Sequence, residues 1–515
     1  MSSSEKPKFS RREFLAGVTG AVVGLVAGAA VGSAVSPRKI TETVTQTQEI
    51  TRTATQTIEK TTTQTVTVGP PSPPSEEYDI VIVGAGMAGL TAAIAAYEAG
   101  VRKIVVLEKA PIPGGNSSVA GGAFFISTPD FPPSDYVNDV MKITQNKAVP
   151  ELIQVLAEKS YETVMEWLPK VANVKFLPKE KWLSSNAPGV DGGGPALMKS
   201  MIEAVNQRGI PILTETIAVS LLVDLKGEVV GVRALTKNGY KDFKAKATIL
   251  ACGGFQANQE MVIKYISPKV AYNAILRGLP NNTGDGHRML LEVRAKMVFM
   301  DQYHGATVQP GTYANPGGFF PQGIIVNKYG KRFIDEGVAT YVEAGKAALE
   351  QPDGLAYIIL DSEGLKRVSA WWRDYFLVQY KGKLVEASSI EELAKTFNID
   401  VDGLKKTIEE FNNAVRDGYT EGITPPKTKN AYRIETPPFY GINYVCGITL
   451  TFGGPLVDKY ARVLDLEGKP IPRLYAVGEL TGGFFFENYP GGGSLARCAV
   501  FGRIAGEHAA SIVKI

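Results

Sequence analysis

One stretch of the chain, residues 79–109, combines an apolar run, a glycine-rich turn and a second apolar run. Asp79–Val83 is short, β-branched and apolar, which is typical of a strand buried on both faces. Small residues from Gly84 to Gly89 follow at once and open a helix, and another apolar run ends at Glu108. The pattern predicts a strand, a tight turn, a helix and a second strand, in that order.

Apolar and amphipathic runs continue this alternation over most of the remaining sequence. Helices are predicted over Val149–Leu168 and Ala196–Arg208, and strands over Ile210–Leu225, Val229–Leu235, Tyr240–Leu250 and Leu474–Gly478. Residues from about 289 to 440 differ, because aromatic and proline-rich loops surround two helical patterns there. The chain is therefore predicted to be an α/β protein with a second domain inserted into the first.

The glycines of the first turn have separate physical roles. Gly84 allows the tight turn, Gly86 lets a pyrophosphate approach the backbone, and Gly89 lets the helix lie close to the strand. The helix N-terminus offers N–H groups and a partial positive charge to phosphate oxygens. Glu108 stands about 20 residues farther on, where a carboxylate accepts hydrogen bonds from ribose hydroxyls. Strands, turn, helix and acid together predict a dinucleotide site.

Further motifs indicate which dinucleotide. A second flexible, hydroxyl-rich loop (PGGNSS at 113–118 and AGG at 120–122) follows the predicted ribose carboxylate, and YPGGGSLARCAVFGRIAG lies far downstream of it. With ACGGF at 251–255, NTGDG at 282–286 and GKRFIDE at 330–336, the order resembles the FAD-dependent oxidoreductase 2 (fumarate reductase–succinate dehydrogenase flavoprotein) superfamily. In active-site texture the chain is similar to 3-ketosteroid dehydrogenases and tricarballylate dehydrogenases. The resemblance covers roughly residues 78–515.

The resemblance implies a Rossmann-like FAD-binding domain, residues 78–288 and 441–515, with an inserted α+β cap (catalytic) domain at 289–440. The active site then lies in the cleft between the two. FAD is expected to be non-covalent, because Asn116–Gly122 contains no histidine. The implied FAD-binding residues are Gly84, Gly86, Met87, Ala88, Gly89, Glu108, Lys109, Gly114, Gly115, Asn116, Ser117, Ser118, Gly121, Gly122, Ala218, Ala251, Gly253, Asp285, Gly478, Glu479, Ser494 and Leu495.

Two of these acids have alternative interpretations. Glu479 ends a predicted buried strand beside glycines and is expected to contact the ribityl chain of FAD, with a surface carboxylate as the alternative. Asp285, in the NTGDG motif, is assigned the same type of role, with an ordinary turn aspartate as the alternative. The strand at Ile217 and Ala218 is expected to meet the adenine through its backbone.

The substrate class is constrained by charged residues that this chain lacks where fumarate reductases bind a dicarboxylate. No arginine occurs in Gly337–Val342 or Asn488–Gly492, no histidine in Thr449–Gly454, and Asn315-Pro316 replaces a threonine–glutamate pair. His304 stands at a comparable place, as a substrate or proton-relay residue or as a buried structural histidine. Fumarate is therefore a poor candidate substrate.

Tyr489–Gly493 (YPGGG) instead resembles a segment of the 3-ketosteroid dehydrogenases. In those enzymes the tyrosine hydroxyl and the N–H of the last glycine, here Gly493, hold a substrate carbonyl oxygen as an oxyanion hole does. Tyr341 stands where those relatives carry a catalytic tyrosine that takes the α proton, although its helper group is not identifiable from the sequence. The implied catalytic residues are Tyr341, Tyr489, Gly493 and His304. The structural alternatives are cleft-wall packing for Tyr489 and a cap-core aromatic for Tyr341.

The predicted activity is dehydrogenation or reduction of a C–C or C=C bond adjacent to a carbonyl, in a small neutral or singly charged substrate. A polycarboxylate stays an alternative, because RFIDEG at 332–337 is similar to tricarballylate dehydrogenases. Fumarate reductase or succinate dehydrogenase-type activity is a second alternative. A third is a stalked flavin electron-transfer module, against which the large inserted cap argues.

Composition excludes several other classes. The net charge is +3 over 515 residues, and no basic cluster interleaved with aromatics indicates nucleic acid. Cys252, Cys446 and Cys498 are far apart, so the sequence has no haem, iron–sulfur or zinc spacing, and three reduced thiols are expected. Electrons must then be exchanged with an external donor or acceptor, a quinone or a redox protein.

The first 77 residues are predicted to contain a targeting signal and a linker. SRREFL at 10–15 and the roughly 20 small and apolar residues after it resemble a twin-arginine export signal over residues 1–36, with an uncleaved membrane anchor as the alternative. Residues 37–77 hold 13 threonines between 41 and 67, then PPSPPS, which predicts a disordered stalk or, alternatively, one long edge strand. The protein is thus expected to be periplasmic, otherwise extracytoplasmic, or tethered to a membrane.

Overall fold

A computed structural model of the chain describes residues 40–48, 60–68 and 73–514. The chain divides into two units at Pro74 and Ser75, and each unit is described by itself. The predicted export signal, residues 1–36, lies outside the described residues. Among the residues that are described, no helix is both long enough and apolar enough to cross a membrane.

The described part of the threonine-rich linker is a pair of antiparallel strands, β1 (Ile40–Gln48) and β2 (Lys60–Val68). Their register runs from Ile40 opposite Val68 to Gln48 opposite Lys60. Threonine and valine are β-branched and suit an extended backbone. Paired strands therefore stand at these two segments, where the composition predicted a stalk without regular structure.

The second unit alternates strands and helices along its length. Its strands are β3 (Ser75–Val83), β4 (Ile104–Leu107), β5 (Ile212–Leu213), β6 (Ile217–Val223), β7 (Val229–Thr236), β8 (Gly239–Leu250), β9 (Ile275–Leu276), β10 (Met297–Val298), β11 (Tyr303–Val308), β12 (Ile324–Val326), β13 (Leu355–Asp361), β14 (Val385–Ala387), β15 (Phe439–Thr451), β16 (Gly454–Pro455), β17 (Arg462–Leu464) and β18 (Pro470–Ala476). Its α-helices are α1 (Met87–Glu98), α2 (Pro133–Ile143), α3 (Pro150–Tyr161), α4 (Leu168–Ala172), α5 (Gly193–Gln207), α6 (Gln259–Met261), α7 (Pro268–Asn273), α8 (Asp285–Glu292), α9 (Tyr341–Ala348), α10 (Ser362–Arg367), α11 (Ala370–Arg373), α12 (Ile390–Phe397), α13 (Val401–Ala414) and α14 (Gly493–Val513).

The first sheet has the strand order β17-β18-β8-β3-β4-β5, and β7 and β6 extend from β8 as an antiparallel hairpin. The pairs β18–β8, β8–β3, β3–β4 and β4–β5 are parallel, whereas β17 is antiparallel to β18. The strand–turn–helix–strand unit predicted from residues 79–109 forms its centre as β3, α1 and β4. The α/β fold predicted from the sequence is thus confirmed.

Helices α1 and α14 pack on each other and on the first sheet. Glycines on α14 allow the close approach, because a Cβ at Gly502 would lie 2.6 Å from the Ala88 carbonyl oxygen and one at Gly506 would clash with the Ala92 carbonyl oxygen. The small-residue pattern FGRIAG of the last helix therefore has a packing cause. It fixes the start of α14 close to the turn that follows β3.

The predicted strand Ile210–Leu225 is two strands with different partners. β5 pairs with β4, whereas β6 pairs with β7. Between them Glu215 has a φ of +52°, in the left-handed region, and the chain changes direction there. Continuous apolar patterning did not reveal this break.

The second sheet has the order β11-β15-β13-β12, with β14 and β9 also paired to β15. β15 stays in this sheet over its whole length, from Phe439 to Thr451. The predicted return to the first domain near Gly441 therefore falls inside a strand of the second sheet. The next strand of the first sheet, β17, begins at Arg462.

Candidate active site

A continuous cavity of about 980 Å³ runs from the turn after β3 to the second sheet. Gly86 and Glu108 line one end, and His304 and Tyr341 line the other. The loops that follow β3, β4 and β8 open onto it, as the carboxyl ends of parallel strands do in open α/β sheets. The cavity therefore joins a cradle (its glycine-rich end) to a chamber (its end against the second sheet).

The three glycines of the first turn have different neighbours. A Cβ on Gly84 would clash with the Ala251 carbonyl oxygen and one on Gly89 with the Gly84 carbonyl oxygen, so protein packing requires both glycines. A Cβ on Gly86 would meet nothing nearer than the Gly114 carbonyl oxygen, 3.9 Å away. Because Gly86 also lines the cavity, its missing side chain keeps the cradle open to a group that approaches the backbone. These residues fit a bound dinucleotide.

Glu108 stands at the end of β4 with a fixed carboxylate. Its Oε2 accepts the N–H of Ala85 and its Oε1 accepts the N–H of Ala110, each at 2.8 Å. The side chain is buried among protein but lines the cavity. Each oxygen retains a lone pair that can accept a further hydrogen bond, which the predicted ribose contact requires.

Asp285 opens α8 and lines the cavity, already paired with cations. Lys109 Nζ donates to its Oδ2 at 2.6 Å and to Thr283 Oγ1 at 2.7 Å, and Arg288 pairs with its Oδ1. The carboxylate is therefore more than a turn aspartate. It ties the strand end at Lys109 to α8 along the wall of the cradle.

Glu479 is buried between the two sheets, and three groups donate hydrogen bonds to its carboxylate. The amides of Asn116 and Asn282 and the backbone N–H of Thr451 each lie 3.3 Å from a carboxylate oxygen. Burial raises the pKa of Glu479 to about 7. The Thr451 N–H, the Arg497 charge and the Asn116 amide lower this pKa, but burial outweighs them. Glu479 lines the cavity and is not a surface carboxylate.

The N-terminus of α14 corrects one predicted donor. The N–H of Gly493 donates to the Pro490 carbonyl oxygen at 2.8 Å, closing the turn that starts the helix. Gly493 is buried and does not line the cavity, so its N–H is not free to hold a substrate oxygen. Ser494 and Leu495 do line it, and first-turn amides have no intrahelical acceptor. The donors at this helix end are these two residues.

His304, Tyr341 and Tyr489 come together in the chamber. The His304 ring meets both tyrosines edge-on, with centroid distances of 5.6 Å to Tyr341 and 5.0 Å to Tyr489. His304 is 1% exposed, and neither of its ring nitrogens has a hydrogen-bond partner among the described residues. The pairing register between β11 and β15 shifts directly after His304. A β-bulge of this kind changes the direction of a side chain. Buried ring nitrogens without a partner, in a residue that lines a cavity, call for an explanation, and a hydrogen bond to a bound ligand would supply one.

The other two histidines differ from His304. His287 Nε2 lies 3.0 Å from the Gly453 carbonyl oxygen, and His508 Nδ1 lies 2.8 Å from the Tyr475 hydroxyl. Neither lines the cavity. Both therefore have structural partners, whereas His304 faces the chamber.

Burial keeps all three chamber groups neutral. It lowers the pKa of His304 to about 3, with the charges of Arg277 and Lys346 acting in the same direction. Burial, then Tyr489, raises the pKa of Tyr341 well above its ordinary value, although Arg277 lowers it. Burial also raises the pKa of Tyr489, while the Tyr341 hydroxyl and Arg277 lower it. The chamber thus presents neutral hydrogen-bond donors.

Arg277 was missed by the sequence analysis and is the one cation of the described chamber wall. It directly follows β9 and lines the cavity. One terminal nitrogen donates to the Tyr375 hydroxyl at 3.1 Å and Nε donates to the Tyr313 carbonyl oxygen at 3.4 Å. Burial lowers the pKa of Arg277, but the surrounding tyrosines outweigh it and raise the pKa overall. The sequence analysis missed Arg277 because no motif marks a single arginine after a two-residue strand.

An aromatic wall was also missed. It comprises Trp371, Trp372, Tyr375 and Tyr380, all of which line the chamber. Trp371 and Trp372 lie on α11, Tyr375 lies on the π-helical turn Asp374–Gln379 after it, and Tyr380 directly follows that turn. The spacing W-W-x-x-Y in the cap was the available signal.

Most of the predicted site residues line the cavity. They are Tyr341, Tyr489, His304, Gly84, Gly86, Met87, Ala88, Glu108, Lys109, Gly115, Asn116, Ser117, Gly121, Gly122, Ala218, Ala251, Gly253, Asp285, Glu479, Ser494 and Leu495. Those that do not line it are Gly89, Gly114, Ser118, Gly478 and Gly493. Behind the wall, Gly114 donates its N–H to the Ala85 carbonyl oxygen at 3.0 Å, and Ser118 Oγ donates to the Gly115 carbonyl oxygen at 2.8 Å.

Comparison with known proteins agrees with this geometry. A family model described as "FAD binding domain" matches residues 79–495. Urocanate reductase from Eggerthella lenta is 33% identical over 462 residues, which cover 85% of this chain and 75% of that protein. The open conformation of a flavocytochrome c3 fumarate reductase superposes with a TM-score of 0.73 at 30% identity, covering 85% of this chain and 79% of that one. A 3-ketosteroid Δ1-dehydrogenase from Sterolibacterium denitrificans, at 22% identity, 84% and 99% coverage and a TM-score of 0.70, shares the fold.

Proposed function

This chain belongs to the FAD binding domain family and is an FAD-dependent oxidoreductase of CH–CH groups; we propose that it reduces a C=C bond adjacent to a carbonyl group. The observation that carries this proposal is the grouping of three neutral donors, His304, Tyr341 and Tyr489, in the chamber. The reductases among its relatives support this direction of reaction.

The residues of the cradle would hold FAD, and bound FAD supplies two-electron chemistry at carbon. Gly86 leaves room for the pyrophosphate, Glu108 accepts the ribose hydroxyls, and Glu479 accepts from the ribityl chain. The first-turn amides of Ser494 and Leu495 offer donors at the positive end of α14. These contacts would place the cofactor along the cavity that opens into the chamber.

Tyr489 and His304 would polarise the substrate carbonyl. Both rings line the chamber, with their centroids 5.0 Å apart, and we assign them to the same substrate oxygen. Fixed donors in a water-poor site stabilise negative charge as it develops on that oxygen, and loss of one costs about 10²–10³ in kcat. Because the Gly493 N–H is engaged with Pro490, His304 takes the place of the second donor.

Tyr341 would supply the proton to the α carbon. A phenol whose pKa is raised well above the ordinary value by burial and by Tyr489 keeps its proton at neutral pH and can give it up in the transition state. The same raised pKa disfavours Tyr341 as a resting base, which dehydrogenation requires. The resting form of Tyr341 at neutral pH is therefore the protonated form, which reduction uses.

The neighbouring alternatives lack a matching observation. A dicarboxylate needs a cation at each end, and Arg277 is the single cation among the described residues of the chamber wall. A pure electron carrier needs no substrate chamber, whereas the cavity continues past the cradle into one.

We further propose that the protein is exported by the twin-arginine route and takes electrons from an external quinone or redox protein. SRREFL at 10–15 supports export, and this route suits a protein folded around its cofactor. The wide spacing of Cys252, Cys446 and Cys498, which matches no haem or iron–sulfur motif, supports an external donor.

An anaerobic substrate screen tests the proposed function. Holoenzyme reduced under argon is mixed with enones, enoates carrying one carboxylate, a 4-ene-3-ketosteroid and fumarate, while the flavin absorbance is followed. We expect an unsaturated compound with one carbonyl to reoxidise the flavin fastest. Faster reoxidation by fumarate than by every other compound would contradict the proposal, and no reoxidation by any organic compound would favour the electron-transfer module.

A further inference from the structure

We propose that the substrate is a ring-bearing enoate with a single carboxylate, such as a 3-aryl-2-propenoate, whose carboxylate binds Arg277 and whose ring packs on the aromatic wall. This proposal rests on the proposed reduction of a conjugated C=C bond. It adds a substrate class and an anion-binding residue at a position where the fumarate reductase pattern has no assigned arginine.

The first observation is the missing counter-ion of Arg277. Two cations line the cavity among the described residues, and the other one, Lys109, is paired with Asp285 at 2.6 Å. Arg277 has no carboxylate within salt-bridge distance in the described chain; its partners are a phenol hydroxyl and a backbone carbonyl. Arg277 is partly buried in the cavity wall, and a guanidinium group that gives up water to a ligand is stabilised by an anion and by hydrogen bonds. The chamber therefore presents a cation that a ligand carboxylate would complete.

Charge on the other side chains around Arg277 strengthens this conclusion. The groups that act on the guanidinium are the side chains of Tyr375, Tyr380, Tyr341 and Tyr489. Lys346, the next cation, pairs with Glu487 at 2.6 Å and lies outside the cavity lining. One carboxylate can thus be neutralised in the chamber, whereas a second one would face aromatic carbon without a cation.

The second observation is the arrangement of the aromatic wall. Trp371 and Tyr375 are stacked, with centroids 5.1 Å apart and an interplanar angle of 12°. The ring centroid of Tyr380 lies 4.8 Å from that of Tyr375. Trp372 also meets Tyr375 edge-on, with a centroid distance of 5.7 Å. Trp371 is 41% exposed and also lines a smaller adjoining pocket on the outer side. Such a wall offers faces and edges to a planar ring.

Tyr375 connects the two observations. Its hydroxyl accepts from Arg277 at 3.1 Å, and its ring belongs to the stack with Trp371. A ligand whose carboxylate reaches Arg277 therefore lies beside the aromatic wall, because Tyr375 contacts the one and belongs to the other. An acrylate bearing a planar ring has this order of groups: carboxylate, C=C bond, ring.

The reaction is balanced for such a substrate. The C=C π bond breaks and two C–H bonds form, one at the β carbon and one at the α carbon, where Tyr341 delivers the proton. The hydrogen at the β carbon arrives with two electrons, as a hydride equivalent that the external reductant and a solvent proton supply through the bound cofactor, and a second solvent proton restores Tyr341. Arg277 and Tyr489 stabilise the negative charge that develops on the carboxylate oxygens during the addition.

Binding titrations of the oxidised holoenzyme test the proposal independently of turnover. The probes are cinnamate, 4-hydroxycinnamate, urocanate and 3-(indol-3-yl)acrylate, with methyl cinnamate as the uncharged analogue and crotonate as the analogue without a ring. Flavin difference spectra and tryptophan quenching report binding. We expect a ring-bearing carboxylate to bind at least about 10- to 100-fold more tightly than its methyl ester, the usual effect of a hydrogen-bonded charge.

Variants separate the carboxylate contact from general damage. Arg277→Gln should abolish the preference for cinnamate over its ester, and Arg277→Lys should retain part of it. Arg433→Gln removes an exposed arginine paired with Glu435 and should change nothing. Trp371→Ala should weaken the binding of cinnamate and leave the binding of crotonate unchanged. Flavin content and melting temperature establish that each variant is folded.

Two results would overturn the proposal. One is an unchanged preference for carboxylate over ester in folded Arg277→Gln; the other is the absence of binding by every ring-bearing carboxylate in the panel. If uncharged enones still reoxidise the reduced flavin in either case, the proposed reduction stands and this substrate class falls. If no conjugated compound reoxidises it, the proposed function itself fails.

Discussion

At the residue scale, burial determines the protonation of the chamber. His304, Tyr341 and Tyr489 are each pushed toward the neutral form by loss of water, and the neighbouring Arg277 modifies all three. A neutral imidazole and two phenols can donate hydrogen bonds without adding charge. This is the requirement of a site that stabilises a developing oxyanion.

The raised pKa of Tyr341 predicts different pH dependences for the rates of reduction and of dehydrogenation. Because burial and Tyr489 raise its pKa well above the ordinary value, the phenol stays protonated from acidic to mildly alkaline pH. Reduction, which uses the protonated form, should show no ionisation of Tyr341 between pH 5 and 9. Dehydrogenation uses the ionised form and should accelerate about tenfold per pH unit over the same range. Stopped-flow flavin kinetics in both directions measure this.

The matched variant is Tyr341→Phe, which keeps the ring beside His304. It should slow reduction and remove the alkaline acceleration of dehydrogenation, with little change in FAD content. A reduction rate that falls above pH 7 in the wild type and no longer does so in Tyr341→Phe would contradict the proton-donor role.

Glu479 gives a prediction for stability. Burial raises its pKa to about 7 from an ordinary value of 4.5, so between these values the folded FAD-free protein holds a proton that the unfolded chain has released. Stability should therefore fall as pH rises through this window and level off above about 7, by on the order of 3 kcal/mol in total. The melting temperature of FAD-free Glu479→Gln should fall less between pH 5 and 7 than that of the wild type. Parallel curves for both proteins would contradict the assignment.

Individual site residues were predictable where a motif fixes their surroundings. Glu108 follows an apolar strand at the expected distance from the glycine turn, and its carboxylate lies where that pattern predicts. Arg277 could not be predicted, because its position depends on β9 pairing with β15, more than 160 residues away in the chain. Gly493 was wrongly assigned because the turn from Pro490 engages its N–H, a local bond that the motif does not reveal.

At the element scale, the β3–α1 turn separates packing from binding. Gly84→Ala should destabilise the protein, because its φ of +107° and the nearby Ala251 carbonyl exclude a Cβ. Gly86→Ala should leave the FAD-free protein folded and lower its affinity for FAD, because the added methyl group meets the cavity alone. Circular dichroism melts and FAD titration distinguish the two outcomes. Equal FAD affinity of Gly86→Ala and wild type would contradict the cradle.

Strands with one apolar pattern and one set of partners were predicted well, as β3, β4, β7 and β8 show. The predicted domain boundary near Gly441 falls inside β15, whose thirteen residues stay in the second sheet, and no polar position in this strand marks where a domain would end. The strands β1 and β2 were not predicted, since low apolar content indicates a poor core and carries no information on local pairing.

At the scale of the whole molecule, the proposed export depends on Arg11 and Arg12. Arg11→Lys with Arg12→Lys keeps the charge and should hold the FAD-loaded protein in the cytoplasm, while Lys6→Arg with Lys8→Arg serves as the control outside the motif. Cell fractionation with immunodetection measures the distribution. Normal export of the double-lysine variant would contradict the twin-arginine assignment.

The cavity gives the whole molecule its function, since it joins a cradle on the first sheet to a chamber formed with the second. The fold and its family were predictable, because their motifs lie in order along the chain. The charge and shape of the chamber were not, since they arise from cap residues that carry no shared pattern.

The most direct test of the account is a single-turnover measurement on Tyr489→Phe. Reduced wild-type and variant enzymes of equal FAD content are mixed anaerobically with the best conjugated carbonyl compound, and flavin reoxidation is timed against product formed. The account predicts one product per flavin in both, with the variant slower by about 10²–10³ and its melting temperature unchanged, because one donor to the oxyanion is lost. A folded Tyr489→Phe enzyme that reoxidises within a few-fold of the wild-type rate would contradict it.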